Sequence, residues 1–217
     1  MRVEALLFDF DHTLVDSPID FVAMRRAVLA VCASHGVVVP DADGKLILEI
    51  VEEAAALARD GQGPRLRGKA DSCMRDEERK AARQAAVVPG VSEALHRLRA
   101  EGRRIAIITR NCREVVDTAL ERAPLEYDVL LARDDVTEVK PHPAHAAAAL
   151  AALGVGAEAA LMVGDFRADM ACARAAGIVA LGVATGASTA AELLAAGAAA
   201  VLPSAAEVPA WLAARGW

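Results

Sequence analysis

Short apolar runs alternate with helical patterns along most of this chain, and that rhythm restricts its fold more than any other feature. The runs are Val3–Phe10, Arg104–Thr109, Asp128–Leu131, Ala160–Gly164 and Val179–Val183, with a weaker one at Ala199–Leu202. Each is bounded by charge or glycine and has the near-continuous apolar character of a strand covered on both faces. Between them lie helical patterns at Val91–Glu101, Arg113–Arg122, His142–Leu153, Ala168–Ala176, Ala190–Ala196 and Ala205–Arg215. Such alternation predicts an α/β fold, a doubly wound parallel sheet with helices on both sides. Right-handed crossovers then gather the loops that follow the strands along one edge, where open sheets of this kind bind their ligands.

Residues 17–86 break the rhythm. They carry helical patterns at Ile19–Ser34, Lys45–Arg59 and Asp71–Ala86, with Gly36 and Gly61 at positions suited to C-terminal caps, and show no strand pattern. The organisation expected is an α/β core of residues 1–16 plus 87–217, with an all-helical insertion, 17–86, placed directly after the first strand. The return segment Val87-Val88-Pro89-Gly90 has turn chemistry suited to a hinge. An insertion there is in the right place in the chain to serve as a lid.

At 217 residues the chain is long enough for one large domain, or a main domain with a smaller companion. The net charge of −6 speaks against a nucleic-acid partner, because phosphate backbones are bound mainly through Lys and Arg. The first apolar run is short and closed by Asp9, which is not the pattern of a signal peptide, and no stretch has the composition of a membrane span. Cys32, Cys73, Cys112 and Cys172 form no CxxC pair and read as free thiols in a reducing compartment. These features together predict a cytoplasmic protein, monomer or homodimer.

The chemistry begins at Asp9-Phe10-Asp11, where the first strand ends. Two residues apart, both carboxylates start on the same side of an extended backbone, and acids leaving a buried strand need a cation or donors. Thr109 ends the second strand and is followed by Arg110-Asn111; Lys140-Pro141 precedes a helix; Gly164-Asp165-x-x-x-Asp169 follows the fourth strand. Taken singly, each has an ordinary explanation as a helix cap or a solvated loop residue. Together they would crowd Asp9, Asp11, Asp165 and Asp169 into one pocket, where two like charges about 4 Å apart repel by about 4 kcal/mol at an effective dielectric of 20. A divalent cation resolves that repulsion, and an all-oxygen set suits Mg²⁺. The cation and Lys140 would then make a site for an anionic substrate, with Thr109 and helix-start N–H groups able to hold phosphate oxygens.

On these four motifs, Asp9-Phe10-Asp11-His12-Thr13-Leu14, Thr109, Lys140-Pro141 and Gly164-Asp165-x-x-x-Asp169, the chain resembles the haloacid dehalogenase superfamily over essentially its whole length. Its helical insertion resembles the small cap of phosphoglycolate phosphatase-like members. One departure is His12, where the family usually has Gly. The resemblance implies a Rossmann-like core and a Mg²⁺-dependent phosphatase acting on a small phosphorylated metabolite. Asp9 is then the nucleophile that forms an aspartyl-phosphate, and Asp11 the acid and base. It further implies metal ligation by Asp9, the Asp11 backbone carbonyl, Asp165 and Asp169, and charge neutralisation by Lys140 and Thr109. Arg110 and Asn111 are candidate substrate contacts. Arg65 and Arg67 in the glycine-rich loop Gly61–Gly68, with Lys69 directly after it, are candidates for an anionic group on the leaving moiety. A phosphomutase of the same fold would keep every one of these motifs, and a non-catalytic phosphate-binding protein is the remaining alternative. Phosphate release as against isomerised sugar phosphate separates the first two.

Overall fold

The structure, a computed structural model, describes residues 2–186 and 188–217. In chain order its elements are β1 (Ala5–Phe8), β2 (Val15–Asp16), α1 (Phe21–Ser34), α2 (Ile47–Leu57), α3 (Gly63–Ala82), β3 (Ala86–Val87), α4 (Val91–Ala100), β4 (Arg104–Ile108), α5 (Arg113–Arg122), β5 (Val129–Leu131), α6 (Pro143–Leu153), β6 (Ala160–Gly164), α7 (Arg167–Ala175), β7 (Val179–Val183), α8 (Ala190–Ala196), β8 (Ala200–Leu202) and α9 (Val208–Ala213). The chain divides into two compact units, one formed by residues up to Ser17 together with Ala85–Trp217, the other by Pro18–Gln84.

The first unit is built on a six-stranded sheet in the order β5-β4-β1-β6-β7-β8, every pairing parallel. All four β1 residues are fully buried, as expected for the central strand of a sheet covered on both faces. On one face, Ala5 and Leu7 of β1, Ala106 and Ile108 of β4, and Ala160 and Met162 of β6 pack against Ala146, Ala149, Leu150 and Leu153 of α6. Those α6 positions follow the three- and four-residue spacing of a single helical face. From β1 the chain winds outward through β4 to β5, then crosses back to β6 and winds the other way. That reversal puts a crevice at the carboxyl ends of β1 and β6.

Edges of the predicted elements move by a residue or two, as fraying ends do. The last predicted helix, Ala205–Arg215, resolves into a 3₁₀ turn at Ala205–Glu207 followed by α9. Near residues 17 and 86 there is a feature the pattern did not reveal: β2 and β3 form an antiparallel pair, Val15 opposite Val87 and Asp16 opposite Ala86. The return segment read as a hinge therefore starts in a hydrogen-bonded ribbon.

The second unit is helical. Met24, Val28 and Cys32 of α1, Ile50, Val51, Ala54 and Ala55 of α2, and Leu66, Ala70 and Met74 of α3 form a core separate from that of the sheet. Here the sequence reading needs one correction. Gly61–Gly68 is not a loop, because α3 begins at Gly63, with Pro64 in its first turn and Leu66 already in the core. Proline in a first turn is favourable, since its missing N–H has no helical acceptor to lose. Arg65, Arg67 and Lys69 thus lie on the exposed side of a helix. Among the described residues no helix is long and apolar enough to cross a membrane.

Candidate active site

Asp9 leaves β1 at the crevice, its N–H donating to the Val163 carbonyl at 2.9 Å. A tight turn follows, in which the Phe10 carbonyl accepts from the N–H groups of Leu14 (2.9 Å) and Val15 (3.1 Å), and His12 N–H donates to Val15 (2.7 Å). His12 sits at φ 56, in the left-handed region where glycine is the least strained residue and histidine is among the tolerated ones. The turn separates the two acids. Asp9 faces Asp165 and Asp169, and one carboxylate oxygen from each of the three lies within 4.8 Å of the others. The Asp11 carboxylate is outside that group: Ser17 Oγ donates to it at 2.5 Å and Asn111 Nδ2 at 3.2 Å.

Lys140 follows in the segment before α6 and is almost fully buried. Its ammonium donates to Asp9 at 2.5 Å and contacts Asp169 Oδ1 at 2.7 Å, bridging the two acids. The Lys140-Pro141 peptide is cis. Asp165 accepts from Thr13 Oγ1 at 3.1 Å, and Asp169 Oδ2 accepts from the Phe166 N–H at 3.1 Å. Thr109 N–H donates to the Leu131 carbonyl at 3.0 Å, and its hydroxyl oxygen accepts from Asn111 N–H at 3.0 Å, leaving the hydroxyl proton to donate elsewhere. Two glycines are needed for close approach. A Cβ on Gly164 would fall 2.4 Å from the Asp169 carboxyl, and one on Gly186, in the loop after β7, 1.7 Å from Asp165 Oδ2.

Electrostatics differ from acid to acid. Burial opposes ionisation of Asp9, but the Lys140 charge and hydrogen bond outweigh it and hold the carboxyl below its usual range. Burial, then the charges of Asp9 and Asp169, push Asp165 well up; burial also raises Asp169, against the pull of Lys140 and Arg110. For Asp11, burial and the Asp9 charge outweigh the Ser17 and Asn111 hydrogen bonds and raise it to about 6. Three buried carboxyls facing one ammonium therefore resist full ionisation unless further positive charge arrives. A divalent cation fits this donor set: three hard oxygens, close together, two of them held towards the neutral form by burial and by the nearby Asp9 charge.

Of the residues singled out in the sequence, Asp9, Asp165, Asp169 and Lys140 are in direct contact, with Thr109 on the adjacent strand end. Asn111 is spent on Asp11 and Thr109. The Arg110 guanidinium lies 5.5 Å from the Phe166 ring centroid. Arg65 and Arg67 lie in the helical unit, and Arg67 is held by Glu52 at 2.6 Å. Sequence reading gave no role in the site to Thr13, Ser17, Phe166, Gly186 or His145. His145, on a helix start where a histidine is ordinarily a surface or capping residue, is buried: Nδ1 accepts from the Lys140 N–H at 3.3 Å, and Nε2 pairs with the Leu131 carbonyl at 3.1 Å. That carbonyl is the one Thr109 N–H also uses. No spacing signal distinguishes these residues from ordinary turn and core positions.

A family profile described as haloacid dehalogenase-like hydrolase matches residues 6–183. The chain is 33% identical over 184 residues to the plasmid phosphoglycolate phosphatase of Cupriavidus necator, covering 80% of this chain and 78% of that one. It is 33% identical over 193 residues to protein CbbY of Rhodobacter capsulatus, covering 82% and 84%. Among solved structures, a HAD family hydrolase from Deinococcus radiodurans R1, with bound phosphate and sodium, aligns at a TM-score of 0.66 and 25% identity, covering 99% of this chain and 96% of that one. By its motifs, its strand order and these matches, the chain belongs to the haloacid dehalogenase-like hydrolase family.

Proposed function

We propose that this protein is a Mg²⁺-dependent phosphoric monoester hydrolase that takes a small phosphorylated metabolite and carries the phosphoryl group on Asp9. The observation that carries the reading is the buried Lys140 bridge to Asp9 and Asp169, beside the Asp9–Asp165–Asp169 oxygen cluster. An ammonium fixed on the nucleophile keeps it ionised and in place, and sits where phosphoryl oxygens gather charge in the transition state. The match to a phosphoglycolate phosphatase and the phosphate bound in the Deinococcus hydrolase support a phosphoester as substrate.

Mg²⁺, held by Asp9, Asp165 and Asp169, would supply charge neutralisation at the phosphoryl oxygens. Asp9 attacks phosphorus through a carboxylate oxygen as the bond to the leaving oxygen breaks. Asp11, steadied by Ser17 and Asn111, gives its proton to that oxygen. The alcohol departs, and Asp11, now a carboxylate, takes a proton from water as the water oxygen attacks phosphorus. Phosphate leaves and the Asp9 carboxylate is restored. Thr109 donates its hydroxyl proton to a phosphoryl oxygen throughout. The helical unit, entered a few residues after Asp11, is read as the cap that selects the substrate.

Purified protein assayed against a phosphomonoester panel should release phosphate only with Mg²⁺, and chelation should abolish release. Asp9→Asn should lower kcat by at least about a thousandfold. Protein quenched during turnover should carry one phosphoryl group on Asp9 by mass spectrometry. An adduct on another residue, or substantial turnover by Asp9→Asn, overturns the reading.

A further inference from the structure

Arg110 of the core unit is half-buried, and among the described residues its guanidinium has no carboxylate in contact. It directly follows Thr109, and its side chain makes no hydrogen bond or ion pair with a described residue. Its guanidinium is held by the face of Phe166, at 5.5 Å, and Phe166 in turn stands between Asp165 and the start of α7, which carries Asp169. Arg167 approaches the same ring at 5.8 Å, adding positive charge to this rim.

A guanidinium partly withdrawn from water, with its N–H fork uncommitted, carries a desolvation cost that an anion relieves. A cation–π contact restrains the guanidinium, so less freedom is lost when an oxyanion binds. The transferring phosphoryl group does not need it. In the proposed reaction its oxygens are met by the cation, Lys140 and Thr109. The surplus charge therefore has to serve another part of the substrate.

We propose that Arg110, braced by Phe166, binds a second anionic group, a carboxylate or a second phosphate, on the leaving alcohol of the substrate. The proposal rests on the phosphatase reading above, and moves recognition of that anion from the helical unit to the core. It accords with Arg67, whose guanidinium is already engaged by Glu52.

The test compares three esters whose leaving alcohols share a two-carbon frame and differ in the second anionic group: ethyl phosphate, 2-phosphoglycolate and ethylene glycol bisphosphate. Wild-type protein should favour one of the two doubly anionic esters over ethyl phosphate by about tenfold or more in kcat/KM, and which one identifies the anion as carboxylate or phosphate. Arg110→Ala should remove that preference, lowering kcat/KM for the favoured ester about tenfold more than for ethyl phosphate; Arg110→Lys, which keeps charge but loses the fork, should fall between. Phe166→Leu should weaken the preference without abolishing it. Thermal melts of each variant confirm that the fold is kept. Equal losses on all three esters, no loss in Arg110→Ala, or no preference in the wild type each overturn the proposal while the phosphatase reading stands. Failure of every ester and of the wider panel overturns both.

Discussion

His145 shows how one side chain can couple two parts of a reaction centre. Its Nδ1 accepts from the Lys140 backbone, so the ring proton belongs on Nε2, where it reaches the carbonyl that Thr109 also uses. Burial first, and the Lys140 charge second, lower its pKa to about 4 from the usual 6.5. The sign of the linkage follows. The unfolded chain takes up a proton near pH 6.5 that the folded chain refuses until about pH 4. The His145 contribution to stability is therefore full above pH 6.5 and lost as pH falls towards 4, by about 3 kcal/mol in all. Urea titrations of wild type and His145→Gln at pH 7.5 and 4.5 should show the wild type losing about 2–3 kcal/mol more than the variant. Parallel pH slopes would remove this role. Using the difference cancels the raised carboxyls, which work in the opposite direction. His12 was legible in another way. The family pattern marks glycine at that position, and the left-handed backbone found there accounts for the pattern. His145 was not legible, because a lone histidine on an alanine-rich helix looks the same whether it is buried or exposed.

Elements were readable wherever they were long enough to show a period or a continuous apolar run. The strands of the large sheet appear in the sequence because burial on both faces removes polar residues from them. The β2–β3 pair did not, since two residues cannot display alternation, and α3 lost its first turns to a cluster of glycines. Leu66, Ala70 and Met74, spaced four apart, show that its apolar stripe had been continuous all along. The separate core of α1–α3 has a measurable consequence. Ile50→Ala, which truncates a fully buried side chain of α2, should destabilise the helical unit by about 2–5 kcal/mol. By hydrogen exchange, protection should fall in α1–α3 and hold in β1, β4 and β6. A uniform fall across both units would show that they open as one.

At the scale of the molecule, alternation predicted a doubly wound sheet, and the observed order β5-β4-β1-β6-β7-β8 is one. The site was legible because that topology sends Asp9, Thr109, Lys140 and Asp165 to the same edge from distant parts of the sequence. The surrounding hydrogen-bond network was not, because it depends on side-chain directions that no spacing encodes. Charge crowding at this edge predicts that stability depends on metal. A divalent cation that binds only the folded chain at a hundredfold over its Kd adds about 2.7 kcal/mol, which for a chain of this size raises Tm by about 5–10 °C. Calorimetry with and without Mg²⁺ should show that rise in the wild type and lose most of it in Asp165→Asn. An equal rise in both would place the ion elsewhere.

The paired strands β2 and β3 have an evolutionary corollary. Since Val15 and Val87 stand opposite each other, the excursion through Pro18–Gln84 starts and finishes at neighbouring points. A graft at this junction, whether a single turn or a whole foreign module, would ask nothing of the sheet beyond closing one short ribbon. Descendants of such a scaffold can therefore trade one insert for another while inheriting the same chemistry.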